Sequence, residues 1–66
     1  MGERIKAKRM ELGMSQSVLA EKVGISRVQV SNLERGESKN MRGRTAMAIA
    51  QVLGISMDYL FFGTTD

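Results

Sequence analysis

Apolar residues recur along this chain at three- and four-residue spacing: Leu19, Ala20 and Val23, then Val30 and Leu33, then Ala46, Ile49, Ala50 and Leu53. That period gathers them on one side of an α-helix. Ile5 and Leu12 lie two turns apart on a first segment, and Leu60 and Phe61 belong to a short last one. Period-two alternation is nowhere sustained, so no strand competes. Five of the seven glycines, Gly13, Gly24, Gly36, Gly54 and Gly63, each follow a helix-forming stretch, where a left-handed residue ends a helix. Ser15, Ser26 and Ser56 stand where each can cap the next helix, and Ser26 with Gln29 forms a capping box. Helices are therefore predicted at about 2–12, 16–23, 27–35, 43–53 and 57–62, giving an all-α, five-helix domain.

The core expected from these faces is Ile5, Leu12, Leu19, Ala20, Val23, Val30, Leu33, Ala46, Ile49, Ala50, Leu53, Leu60 and Phe61. Met14, Ile25 and Ile55 fall just after glycines and can pack back onto helix ends. Met10, Met14, Met47 and Met57 sit at or beside core positions and are expected to fill gaps rather than form a binding surface. Ala46, Ala48 and Ala50 imply either a thin core or close packing at the fourth helix.

With 66 residues there is room for one domain, assigned to 1–63, with 64–66 as a tail or the start of a linker. A domain this small removes only about 60% of its unfolded surface from water, so modest stability is expected. No stretch approaches the roughly 18 apolar residues of a membrane span, and residues 1–13 lack the apolar core of a secretory signal. A cytoplasmic location is expected. The absence of cysteine and histidine removes disulfides, thiol nucleophiles, imidazole chemistry and the usual metal sites, so no cofactor and no metal are expected. Glu3, Glu11 and Glu21 lie among Lys and Arg on helix surfaces, and the three serines are occupied as caps, so no enzyme reading stands.

Net charge is +3, and residues 27–44 carry +3 by themselves while residues 45–66 carry −2. A solvated surface would explain that asymmetry as well as a nucleic-acid partner would. The segment Gln16–Arg35, QSVLAEKVGISRVQVSNLER, narrows the choice. Ala20 permits a close helix crossing, Gly24 can turn with positive φ, and Ile25, Val30 and Leu33 bury the inner face of the third helix. Arg27, Val28, Ser31, Asn32 and Arg35 remain outside.

Three landmarks in order, GMSQSVLAEKVGIS, NLERG and VLGISMDYLFFG, make the chain resemble the phage repressor and Cro proteins, the XRE-type helix-turn-helix family, from about Ile5 to Gly63. The resemblance implies a lambda-repressor-like domain that binds double-stranded DNA as a homodimer and represses transcription, with helix 3 in the major groove of a palindromic operator. Base readers would be Arg27, Val28 and Asn32, with Ser31 close by. Arg27 can serve guanine, Asn32 adenine, and Val28 thymine methyl groups, unless Val28 is merely a tolerated surface valine. Phosphate contacts would come from Gln16 and Ser26 at helix N-termini. Arg35, Lys39, Arg42 and Arg44 would add others, the last three gripping phosphates or touching the minor groove, with a merely solvated loop as the alternative. Gln29 serves equally as cap or DNA contact. Arg9 and Glu34 would form a partly buried, orienting ion pair. Dimer contacts would lie at helix 5 and the loop before helix 4 and involve Met57, Tyr59 and Phe62 in a weak isologous interface, since a helix this short cannot bury all three; the alternative is that Phe62 folds over its own helix and the contact lies elsewhere. Gly43 departs from the apolar residue with which relatives often dock the start of helix 4, so that first turn is expected to be irregular, frayed or displaced. The rival is a protein-binding module such as an antitoxin on the same scaffold, but no long wrapping segment is visible. A basic helix lying on a membrane would need a stronger amphipathic pattern than helix 1 supplies.

Overall fold

A computed structural model describes residues 1–37 and 42–63. Lys39 and the tail 64–66 lie outside the described residues. Five helices succeed one another: α1 (Gly2–Glu11), α2 (Gln16–Val23), α3 (Arg27–Glu34), α4 (Gly43–Leu53) and α5 (Met57–Phe62). Each agrees with its predicted span to within one residue. All five expected glycines have positive φ, and the three serine caps form, with Ser15 Oγ accepting from Val18 N–H at 3.1 Å and Ser56 Oγ from Tyr59 N–H at 3.0 Å. The capping box of α3 closes in both directions. At Gly43, α4 begins at the expected residue, with Arg42 preceding it and no side chain capping it.

The buried apolar side chains among the described residues are Ile5, Leu19, Ala20, Val30, Leu33, Ala46, Ile49, Ala50, Leu53 and Leu60, which form one cluster. α1 packs on α3 and α4, α2 on both α3 and α4, and α5 on α4. Buried Ala20, Ala46 and Ala50 show that the small residues sit at the centre of this packing. Gly2 makes a close approach that the sequence pattern did not reveal. A Cβ there would sit 2.5 Å from the Glu34 carbonyl oxygen and would also collide with that of Leu33. The start of α1 is thereby pressed against the end of α3.

Four expectations about the core are corrected. Leu12 is 48% exposed, because α1 ends at Glu11 and the side chain falls at the rim of an open hollow shared with Met14, Lys22 and Val52. Phe61 is 39% exposed, because six-residue α5 packs mainly on α4 and buries one side chain, Leu60. Met10 and Met47 are exposed rather than gap-filling: each is displaced around its helix from the buried stripe containing Ile5 or Ala46. Met14 and Met57 do pack against the core, as do Val23, Ile25 and Ile55 from its edge.

Candidate nucleic-acid interface

The turn between α2 and α3 sets the geometry of the exposed face. Gly24 takes φ 86°, and the N–H groups of Gly24 and Ile25 both bond to the Ala20 carbonyl, at 2.8 and 3.0 Å. Only glycine enters that region without cost from a Cβ. Ser26 is then extended, and α3 starts at a sharp corner with Val30 and Leu33 turned inward. Arg27, Val28, Ser31, Asn32 and Arg35, at steps of three and four, share the opposite side. Arg27 and Arg35 are exposed, Val28 is 57% exposed, and Ser31 and Asn32 are half-buried.

A hydrogen-bonded chain runs from the interior to this face. Arg9, almost fully buried, donates from Nε to Glu34 Oε2 at 2.6 Å and from Nη2 to Oε1 at 3.2 Å, and its Nη1 donates to the Met14 carbonyl at 2.7 Å. The Glu34 side chain is only 3% exposed. Gln16 Nε2 donates to Glu34 Oε1 at 3.1 Å, and Arg27 Nη1 donates to Gln16 Oε1 at 3.4 Å. The expected orienting pair Arg9–Glu34 is therefore present and ties α1 to α3, with Gln16 adding α2. Burial by itself would raise the Glu34 pKa; the hydrogen bonds from Arg9 and Gln16 and the charges of Arg9 and Lys6 outweigh it and hold the carboxyl below its ordinary value. Gln16 retains a second N–H on its amide nitrogen for an anion.

At the start of α3, Ser26 Oγ accepts from Gln29 N–H at 3.1 Å while Gln29 Oε1 accepts from the Ser26 N–H at 2.8 Å. Gln29 is thus a cap, and of the polar groups of Ser26 it is the hydroxyl hydrogen that stays free for an anion. At the end of α3, Arg35 Nη2 donates to Asn32 Oδ1 at 2.7 Å and lies 3.4 Å from Glu37 Oε2. Neither contact was foreseen from the sequence, although Asn and Arg three residues apart in a helix are within reach of one another. Arg42 and Arg44 are exposed at the start of α4. Of the residues expected at a dimer contact, Met57 and Tyr59 are half-buried and Phe62 is 75% exposed, its ring 6.3 Å from that of Phe61. Arg4 was missed altogether: its Nε and Nη2 donate to the Leu60 carbonyl at 3.3 and 3.1 Å, clasping α5 onto α1. Fifty-six positions separate that pair, and no local pattern announces such a contact. Among the described residues, no helix is long and apolar enough to cross a membrane.

The helix-turn-helix family model matches residues 5–60. The chain is 41% identical over 63 residues to the repressor protein C2 of Salmonella phage P22, covering 96% of this chain and 29% of that protein. It is 39% identical over 66 residues to the transcriptional regulator DicA of Escherichia coli, covering 100% of this chain and 48% of DicA. It thus spans less than half the length of these two relatives. The structure of the P22 c2 repressor in complex with a synthetic operator superposes with a TM-score of 0.90 at 40% identity, covering 96% of this chain and 94% of that one.

Proposed function

The chain belongs to the helix-turn-helix family, and from that premise we propose that it is a sequence-specific double-stranded-DNA-binding regulator, a repressor acting as a homodimer on a palindromic operator. The observation that carries this reading is the exposed face of α3, where Arg27, Val28 and Asn32 stand beside one another and Arg27 is braced through Gln16 by a buried ion pair. Such a face presents a guanine-reading donor fork, an apolar contact for thymine methyls and an amide for adenine, on a helix that fits the major groove. Ser31 lies between the readers. Gln16, the Ser26 hydroxyl, Arg35, Arg42 and Arg44 supply phosphate contacts around it, joined by Lys39. Phosphate contacts fix register while the readers set sequence. The similarity to the phage repressor, whose own structure is a complex with operator DNA, supports the same mode of use. The chain is a binding protein rather than an enzyme, acts in the cytoplasm on nucleoid DNA, and pairs weakly through Met57, Tyr59 and Phe62. Such a contact is smaller than the roughly 1,200 Å² of a standard stable interface, so the free protein is mostly monomeric and dimerises on its operator.

Selection of binding sites from random duplexes tests the reading. The expected product is an approximate palindrome with half-sites about 10–10.5 bp apart. Its affinity should fall by about 10³–10⁵ between roughly 50 and 200 mM salt if 6–10 phosphates are engaged. No enriched sequence, or binding indifferent to salt, would remove it.

A further inference from the structure

We infer that Arg35 is a positioning residue for base reading: by donating to Asn32 Oδ1 it fixes which edge of the Asn32 amide faces the groove, so that preference for adenine at that base pair depends on Arg35. The inference rests on the reading of Asn32 as a base contact given above.

An asparagine that reads adenine must accept from N6–H with Oδ1 and donate to N7 with Nδ2. Rotated by half a turn, the same side chain offers a donor to a donor and an acceptor to an acceptor. An amide exposed to solvent has little reason to prefer one orientation, and choosing between them costs affinity on binding. Here the choice is already made. Arg35 lies one helical turn beyond Asn32, and its Nη2 donates to Oδ1 at 2.7 Å. A guanidinium carries donors only, so it cannot pair with Nδ2 and excludes the rotated amide. Oδ1 has a second lone pair, which leaves it able to accept from N6–H with Arg35 in place, while Nδ2 is free for N7. Asn32 is half-buried, which limits its other conformations.

Two features keep Arg35 at this post. Glu37 Oε2 stands 3.4 Å from the same Nη2, drawing the guanidinium along the end of α3. The remaining N–H groups of Arg35 stay available to a phosphate, which would hold the side chain from the other side. Phosphate contact and amide orientation are then coupled: the residue that grips the backbone also aligns the reader. A residue acting only as a phosphate contact would weaken every DNA sequence alike. Arg35 is expected to change the order of preference among sequences as well.

The test uses the selected operator, with the adenine at each position replaced in turn by the other bases, and three single variants, Asn32→Ala, Arg35→Met and Arg35→Gln. Asn32→Ala should abolish an adenine preference of about 5- to 150-fold at one position of each half-site. Arg35→Met should reduce that same preference about five-fold, the worth of one ordinary hydrogen bond, in addition to a uniform loss of affinity. Arg35→Gln loses the charge and brings an amide that accepts as well as donates, so it pairs with either orientation of Asn32, and both affinity and the adenine preference should fall. In an Asn32→Ala background, Arg35→Met should weaken all sequences equally. If Arg35→Met or Arg35→Gln lowered affinity but left the adenine preference intact, Arg35 would not position the amide, although Asn32 would remain a reader. If Asn32→Ala left every base preference unchanged, Asn32 itself would not read a base, and the role of Arg35 would fall with it.

Discussion

Two Gly-Ile-Ser steps turn the same corner in this molecule. Gly24-Ile25-Ser26 joins α2 to α3 and Gly54-Ile55-Ser56 joins α4 to α5, with φ of 86° and 68° at the glycines and nearly identical extended serines. In each, the isoleucine N–H reaches the carbonyl five residues back, Ala20 or Ala50, at 3.0 Å, and the serine caps the next helix. Past the corner the two helices differ. α3 has eight residues, a capping box, and at its far end a buried carboxylate held by Arg9 and Gln16. α5 has six residues, a one-way cap, a single buried side chain in Leu60, and a single polar clasp from Arg4. The turn chemistry sets the start of a helix. How firmly the helix is then aimed depends on ties from elsewhere in the chain, and the helix carrying the proposed base readers has more of them.

The largest effect is expected where that aim is anchored. Glu34→Ala would leave Arg9 buried without its partner and should cost about 3–5 kcal/mol, measured by urea or thermal unfolding. It should also disorder Gln16 and Arg27, so that a variant still folded at low temperature binds its operator less selectively. Arg9→Met combined with Glu34→Leu removes both charges and should recover most of the stability without the selectivity. Were the double variant as selective as the parent, the ion pair would be structural only. The pair also has a signature in pH. Because the Glu34 pKa is lowered on folding, its stabilisation is complete above the ordinary glutamate pKa of about 4.3 and is lost as pH falls below that value toward the lowered one. Stability of the Arg9→Met, Glu34→Leu variant should decline less over that acid range.

A comparable loss on the other side of the comparison comes from the core rather than from charge. Leu60→Ala removes the one fully buried side chain of α5 and should cost in the lower part of the roughly 2–5 kcal/mol range, since α5 packs chiefly on α4. α5 should detach while the α2–α3 unit keeps its DNA contacts. Hydrogen exchange would show protection lost at α5 first; simultaneous loss in α3 would mean that the two corners belong to one cooperative unit.

Both corners were legible in the sequence, because glycine, a small apolar residue and a capping serine act within a few residues of one another. The ends of the helices were harder. Leu12 has the right period for the core but lies past the last turn of α1, and Phe61 has the right neighbour but not enough helix around it. Periodicity names a face without saying how much of that face another element covers. Contacts between distant segments stayed hidden unless a family pattern supplied them. Arg9–Glu34 was expected on that basis, whereas Arg4–Leu60 and Gly2 against α3 were not.

The caps offer a smaller and sharper contrast. Ser26→Ala removes the side-chain half of a reciprocal pair and should cost about 1–2 kcal/mol, whereas Ser56→Ala loses a lone cap and should cost about 0.5–1 kcal/mol. Paired unfolding curves measure both. Equal losses would mean that Gln29 adds nothing to the corner before α3.

The smallest effect is expected at Arg4. Its guanidinium bonds the Leu60 carbonyl, one of the backbone acceptors left without an intrahelical partner near the end of α5, and places positive charge at the negative pole of that helix. Arg4→Met keeps the aliphatic packing and removes both contributions, which are partly exposed and so sit at the bottom of their range, worth about 0.5 kcal/mol together. Global stability should barely register the change. Exchange of the Leu60 and Gly63 amides, which bond to Ser56 and Tyr59 within α5, should quicken, while Val30 and Arg35 in and beyond α3 keep their protection. The outcome bears on the proposed pairing through Phe62. If α5 must be held in place for two copies to meet on DNA, Arg4→Met should lower cooperative binding to the full operator and leave half-site affinity unchanged. Unaltered cooperativity together with faster exchange in α5 would place the contact between copies somewhere other than this helix.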